Sequence, residues 1–256
     1  MLGALLLGAP LPAAAQDRPD ESQPTEERSD ASPASLGDRW EFVAAPYLLF
    51  PHMSGTLNLR GIRAEVDASP GDIFSRLQFG AMLFLEAHSS LWAVSVDGLY
   101  MNLSETAGRG LAEVGARQCM VELTGYRRLV PWLEVLAGAR LNILGGDIEL
   151  LPTGGPIFLR VDQTRAWVDP IAGARASVAA GRRWLFVLRA DVGGFGVGSE
   201  FAWQIYPLAS YRVSKLFGVA AGYRVLSMNY ETGRGEDLFE YDVTTFGPQI
   251  GVSFHF

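Results

Sequence analysis

The sequence predicts an all-β fold, a closed antiparallel transmembrane β-barrel of about ten strands. Apolar residues recur at every second position along most of the chain, which is the period of a β-strand. After the first fifteen residues no segment resembles a spanning helix, although 48% of the 256 residues are hydrophobic. The chain also ends on GPQIGVSFHF, which alternates up to its final phenylalanine. An apolar chain without spanning helices crosses a membrane as a closed barrel.

The first residues predict export. An apolar run over residues 2–11 is followed by a proline and an alanine triplet, a pattern typical of a signal peptide despite the missing basic start. We therefore assign residues 1–15 to a signal peptide. Residues 16–38 are rich in Asp, Glu, Ser and Pro and predict a disordered acidic periplasmic segment, because they carry too little apolar surface to fold. The barrel is expected over residues 39–256.

Ten segments alternate strictly enough to be read as strands, each near the length that a tilted strand needs to cross a bilayer. In chain order they cover residues 40–50, 79–86, 92–100, 118–123, 133–142, 167–178, 186–192, 203–212, 219–225 and 246–256. Eight or twelve strands remain alternatives. Twelve would follow if residues 54–69 entered the barrel as an additional hairpin instead of pairing above the membrane.

The connections between these strands alternate between short and long, as in outer-membrane barrels with periplasmic turns and extracellular loops. The long loops are predicted at residues 51–76, 105–114, 145–163 and 231–241. Within the first loop, a short helix capped by Ser69 or Asp72 is expected to fold into the lumen as a plug.

Aromatic residues at the start of upgoing strands predict an interfacial girdle. They are Trp40, Trp92, Trp132, Trp184 and Phe217. A soluble β-sandwich would alternate in the same way, so strand periodicity alone leaves that fold as an alternative.

The two faces of the predicted strands differ in chemistry. The outward face is almost purely apolar, whereas the inward face collects charged residues. The predicted lumen ion network comprises Glu41, Glu86, Asp97, Glu122, Glu134, Arg140, Asp169, Arg175, Arg189, Asp191, Arg212 and Arg224. Acids and arginines are nearly balanced, and ions inside a small barrel must pair because an isolated buried charge is unfavourable by several kcal/mol. This predicts a cross-linked interior rather than a channel of one sign.

The C-terminal segment resembles the β-signal that the barrel-assembly machinery of Gram-negative bacteria recognises. The residues that carry the resemblance are Phe246, Ile250, Val252, Phe254 and Phe256. Together with WEFVAAPYLLFPHMSGTLNLRG, WVDPIAGAR, DVGGFGVGSEFAWQ and AGYRVLSMNY, it makes the chain similar to a group of small outer-membrane β-barrel proteins that mostly have no assigned activity. The resemblance implies insertion by that machinery into a membrane of lipid and lipopolysaccharide, and it implies no substrate.

Composition and motifs narrow the function classes. A net charge of −7 and a pI near 5.0 argue against nucleic-acid binding, and the single cysteine, Cys119, excludes an intramolecular disulfide. His52 is predicted at the outer rim, and His88 and His255 near the periplasmic rim. We expect no metal site, no cofactor and no catalytic residue.

Three functions remain open at this point. The first is a structural or binding barrel with a charged, largely packed lumen and extracellular loops. The second is a narrow pore for small solutes, since ten strands leave slightly more interior than eight. The third is a membrane-embedded hydrolase acting on lipid or peptide, for which His52 and Ser54 are the only candidates at the rim.

Overall fold

The computed structural model describes residues 40–59, 62–107, 112–150 and 159–256. The predicted signal peptide and acidic segment lie outside the described residues. Within the described part of the chain, no helix is long and apolar enough to span a membrane.

Nearly all described residues belong to strands. The strands are β1 Glu41–Leu49, β2 His52–Leu59, β3 Ile62–Ala68, β4 Leu77–His88, β5 Trp92–Ala107, β6 Ala112–Val130, β7 Leu133–Leu150, β8 Leu159–Ala180, β9 Trp184–Gly193, β10 Phe201–Arg212, β11 Phe217–Thr232 and β12 Phe239–His255. One α-helix, α1, covers Pro70–Arg76, and a 3₁₀ turn covers Gly235–Asp237.

The strands form one antiparallel sheet that closes on itself through the pairing of β1 with β12. β1 and β2 both pair with β12, through Leu49 opposite Gln249 and His52 opposite Phe246, so they act as one interrupted strand. The next segment of the chain, which comprises β3, α1 and β4, forms the second strand of the barrel. The predicted closed antiparallel barrel of ten strands is therefore confirmed, with β2 and β3 forming the hairpin above it.

The predicted long loops are wrong over much of their length. β5 continues to Ala107, and β6 begins at Ala112. Likewise, β7 continues to Leu150, and β8 begins at Leu159. The prediction ended each strand where a bilayer would end. These residues nevertheless pair in register with the neighbouring strand, because the backbone groups of both strands satisfy each other beyond the apolar belt as well.

Strand parity divides the side chains as predicted. Large apolar residues on the outside are exposed, and they form a belt around the barrel. Examples on successive strands are Phe42, Leu83, Val96, Leu123, Val135, Val168, Leu188, Ile205, Val219 and Ile250. In a soluble sandwich this apolar face would be the core. Here it is the outer surface of a closed barrel, so the barrel requires an apolar surrounding medium.

The two ends of the barrel differ. At one end, here called the turn end, connections of two to four residues join the strands at 89–91, 131–132, 181–183 and 213–216. Four of the predicted girdle residues, Trp40, Trp92, Trp132 and Trp184, are exposed. Trp132 lies in the turn between β6 and β7 rather than on a strand. The opposite end is called the loop end.

The C-terminal residue participates in barrel closure at the turn end. The backbone N–H of Phe256 donates to the carbonyl of Phe42 at 2.9 Å, and the N–H of Phe42 donates to the carbonyl of Phe256 at 3.2 Å. Strand β12 is bonded to β11 on one side and to β1 and β2 on the other. The regular alternation of the C-terminus thus serves a strand that has a neighbour at both edges.

Candidate functional site: the barrel lumen

Six charged residues in the middle of the lumen form what we call the central ion cluster. Its members are Asp97, Glu122, Arg140, Arg189, Asp191 and Arg224. Three acids face three arginines, so the cluster is neutral as a whole. The residues come from β5, β6, β7, β9 and β11, and each has the inward parity of its strand. The sequence thus brings charges together from around the whole barrel.

Arg140 and Arg189 connect one side of the cluster. Arg140 donates from Nε to Glu122 at 2.9 Å and from Nη2 to Asp191 at 2.8 Å. Arg189 pairs with Glu122, and its Nε donates to the other oxygen of Asp191 at 3.0 Å. Arg140 has an exposed fraction of 0% and Glu122 of 1%. Charges buried this deeply are tolerated because each has partners of opposite sign within hydrogen-bond distance.

Arg224 connects the opposite side. It pairs with Asp97 across the lumen, from β11 to β5, and its Nη1 donates to the Tyr47 hydroxyl at 3.3 Å. Tyr47 in turn donates to Asp97 at 2.7 Å. Gln204 joins the two halves, since its carbonyl accepts from Arg224 at 2.9 Å and its amide donates to Asp191 at 3.0 Å. A continuous layer of polar contacts therefore crosses the lumen.

A second group of charges lies closer to the turn end. Arg175 pairs with Glu86 and, from Nε, with Glu134 at 2.6 Å. Arg128 also binds Glu134, at 2.8 Å, and the guanidinium of Arg175 lies 3.9 Å from the centre of the Tyr126 ring. These residues are half-buried or buried and add a further closed layer below the central ion cluster.

Asp169 is held by neutral hydrogen-bond donors. Its exposed fraction is 0%, and it accepts hydrogen bonds from the backbone N–H of Ser199 at 2.6 Å and from the Ser199 hydroxyl at 2.9 Å. The Asn142 amide and the Trp167 indole N–H also donate to it, at 3.1 and 3.2 Å. This carboxylate fastens the 194–200 connection between β9 and β10 to the barrel interior.

Two members of the predicted network lie apart from these clusters. Glu41 is mostly exposed at the rim of the turn end, 3.5 Å from His88, and Arg212 is exposed near the same end. Sequence reasoning missed Arg128, Tyr47 and Gln204. Arg128 could have been predicted, since it lies on the same strand as Glu122 and with the same parity. Tyr47 and Gln204 could not, because the prediction of the network considered only charged inward residues.

The lumen has a third, apolar layer that was not predicted. This apolar lumen cluster lies among the residues facing inward toward the loop end, and its buried members are Tyr47, Leu49, Ile73, Leu99, Met101, Met120, Trp167, Ala202, Leu226, Met228, Phe239, Tyr241 and Val243. Trp167 stacks on Tyr230 with ring centres 4.2 Å apart. The interior of the barrel is thus filled by ions in its middle and by apolar side chains on the loop side of them.

Helix α1 does not plug the lumen. Ser69 caps it and Asp72 completes a capping box, as the sequence indicated. Most of the helix is exposed, however, and only Ile73 is buried. The helix instead lies in the barrel wall between β3 and β4, because the chain must pass directly from one of these strands to the other.

The candidate hydrolase residues, His52 and Ser54, both lie on β2. His52 stacks on Phe246 with ring centres 4.8 Å apart, and its Nε2 lies 3.0 Å from Asp67. Ser54 lies two residues further along β2, opposite Thr244. Among the residues that the structure describes, no group of three or more His, Cys, Asp or Glu side chains is arranged to hold a metal ion.

An apolar outer belt and a charged, hydrogen-bonded interior define a transmembrane β-barrel of the outer-membrane type. No protein-family model and no curated protein sequence matches the chain. Similar solved structures include the outer membrane protease OmpT from Escherichia coli (8% identity, TM-score 0.47, 86% of this chain and 98% of that chain), the translocator domain of the autotransporter NalP from Neisseria meningitidis (11%, 0.44, 87% and 90%) and Ail, the attachment invasion locus protein of Yersinia pestis (8%, 0.39, 86% and 99%). These likenesses carry no argument about activity.

Proposed function

We propose that this protein is a non-enzymatic outer-membrane barrel of the structural or binding type, whose packed lumen does not conduct. The observation that carries the proposal is the polar layer from Tyr47 and Asp97 through Arg224 and Gln204 to Asp191. The contacts of Asp97 with Tyr47 and with Arg224 bridge strands that are not neighbours in the sheet, and Gln204 links Arg224 to Asp191 across the adjacent strands β11, β10 and β9. The contacts are short and buried, which supports a lumen that is closed to water at this layer.

The pore alternative requires an interior that water can fill. Ten strands enclose more space than eight, but here that space is taken up by side chains. In the central layer Arg140, Glu122 and Gln204 are at most 1% exposed. A solute would have to separate buried ion pairs, which makes conduction through the resting barrel unfavourable.

Conductance of the purified protein in a planar lipid bilayer tests the proposal. We expect no steady channels from the wild type. A variant with Arg140→Ser and Arg224→Ser, which removes two of the bridging side chains, should show stepwise conductance if it retains the folded, heat-modifiable form on a gel. Arg234→Ala, in an exposed connection, is the matched control and should remain silent. Steady channels from wild-type protein would overturn the packed-lumen proposal.

The location proposed is the outer membrane of a Gram-negative bacterium, reached by export through the periplasm. The apolar belt supports contact with membrane lipid, and the strands that extend past the belt at the loop end support contact with lipopolysaccharide. Phe246, Ile250, Val252, Phe254 and Phe256 share the outward parity of β12, which supports their role as the signal for the barrel-assembly machinery.

A further inference from the structure

The barrel wall has an interruption at the loop end, which we call the seam. β3 pairs with β2 at one edge, and among the described strands none pairs with its other edge. β5 pairs with β4 only as far as Leu103 opposite Leu77. Helix α1 lies in the interval between these edges, and Arg76 at its end pairs with Glu105 of β5 at 2.8 Å. At the seam a short, exposed helix therefore replaces strand pairing.

A small cavity of about 40 Å³ lies beside α1, and all of its lining side chains are apolar. On the outer side it is lined by Leu48 and Phe74, whose exposed fractions are 53% and 37%. On the inner side it is lined by Leu49, Ile73 and Met101, which are buried members of the apolar lumen cluster. The cavity thus lies between the lipid-facing surface and the apolar interior, with no polar barrier in its lining.

The interior next to the seam is adaptable. Five of the six methionines of the chain, Met53, Met82, Met101, Met120 and Met228, belong to the apolar lumen cluster or pack against it. Methionine has three rotatable bonds and a polarizable sulfur, so it repacks around a guest more readily than branched side chains do. The cavity exceeds the ~10–15 Å³ needed to hold one water molecule, and movement of these side chains would enlarge it.

We propose that the seam binds the acyl chain of a surrounding membrane lipid, which enters sideways between α1 and β1 and reaches the apolar lumen cluster. A lipid chain is the occupant that the position favours, because Leu48 is continuous with the apolar belt on β1. A purely apolar lining offers no partner for a polar ligand. This inference rests on the proposed membrane location of the barrel and not on its lack of conductance.

Photo-crosslinking tests this site. The full barrel is reconstituted in vesicles of phosphatidylcholine that carries a diazirine in its acyl chain, and labelled residues are mapped by mass spectrometry. We expect labelling of the inward Leu49 and Met82 in addition to outward residues such as Leu123. Met101→Phe, which fills the cavity, should abolish the inward labels, and Leu123→Phe on the lipid face is the matched control that should leave them unchanged.

A second variant, Arg76→Glu, tests the seam without filling the cavity, and a second probe, a free diazirine alkane, tests whether the occupant is a lipid. Arg76→Glu places two like charges at α1 and β5 and should increase inward labelling without filling the cavity. Wild type and Arg76→Glu that both label only outward residues would overturn the proposed site. A free diazirine alkane that labels Leu49 where the phospholipid does not would overturn the lipid occupant in favour of a soluble apolar guest. Absence of label at Leu123 as well would instead count against the membrane location.

Discussion

Arg224 of β11 and Asp97 of β5 form an ion pair across the lumen, and the Tyr47 hydroxyl contacts both of them. The two residues are separated by 127 positions in the chain and by several strands in the sheet. Their pairing means that the barrel interior is braced from wall to wall, and not only along neighbouring strands.

Removing one partner of this pair should destabilise the barrel strongly. Arg224→Leu leaves Asp97 buried without its cation, for which we expect a loss of about 3–5 kcal/mol in the free energy of unfolding. The double variant with Asp97→Leu as well should lose less than the sum of the two single variants. Urea unfolding in liposomes, followed by heat-modifiable gel migration, measures both. Equal midpoints for Arg224→Leu and the exposed-loop variant Arg234→Ala would contradict the bracing.

Asp169 should control the 194–200 connection. Asp169→Asn replaces one carboxylate oxygen by an amide N–H, which cannot accept from the four surrounding donors. At least one hydrogen bond of Ser199 or Trp167 is therefore lost, which should lower the free energy of unfolding by about 1–3 kcal/mol. Hydrogen exchange should quicken at residues 194–200 and remain unchanged at the turn end. Asp242→Asn, at an exposed position of β12, serves as the control. Unaltered exchange in Asp169→Asn would show that the loop is held by other contacts.

Close backbone approach at the interruption between β1 and β2 makes Gly247 irreplaceable. A Cβ atom there would lie 2.0 Å from the carbonyl oxygen of Phe50, so alanine forces β12 away from the first strand. We expect Gly247→Ala to lower the free energy of unfolding by more than the ~1 kcal/mol of an average substitution. Gly98→Ala, whose Cβ would lie 3.8 Å from its nearest neighbour, should be tolerated. Similar stabilities for the two variants would argue against the close approach.

The cap of α1 should depend on pH. Ser69 donates hydrogen bonds to Asp72 and thereby lowers the pKa of this exposed carboxyl below its ordinary value of 3.8. A lowered pKa in the folded state means that the contribution to helix stability is complete above the unfolded pKa and is lost as the pH falls through the folded one. Pepsin cleavage within α1 should therefore separate wild type from Asp72→Asn at about pH 4.5, and the difference should shrink as the pH falls through the lowered pKa of Asp72.

The terminal residue should matter for assembly. Deleting Phe256 removes both backbone hydrogen bonds to Phe42 and the last outward aromatic of β12. We expect a smaller fraction of heat-modifiable protein in isolated outer membranes. Phe195→Ser changes another exposed aromatic, in the connection between β9 and β10, and should leave this fraction unchanged. If the deletion variant assembles like the wild type, the terminal residue is not part of the assembly signal.

The two-residue period of the sequence was enough to predict the strand parity and to name charged residues on the inward face. Glu122 and Arg140, for example, stand on the inward parity of their segments, and the structure pairs them directly at 2.9 Å. Periodicity could not give the ends of β5 to β8, because backbone pairing continues where hydrophobic alternation weakens. Nor could it reveal the apolar lumen cluster, since an inward methionine does not interrupt an apolar pattern.

The sequence by itself determined which side chains share a face, because alternation along a strand is a local property of the backbone. Alternation alone did not determine which face is the inside, since a soluble sandwich and a membrane barrel have the same alternation. Only closure of β1 onto β12 decided this, by turning the charged face into an enclosed lumen and the apolar face into the outer surface. The partners of Arg224 and the seam at α1 likewise follow from that closure, because contacts across a lumen join residues that are distant in the chain.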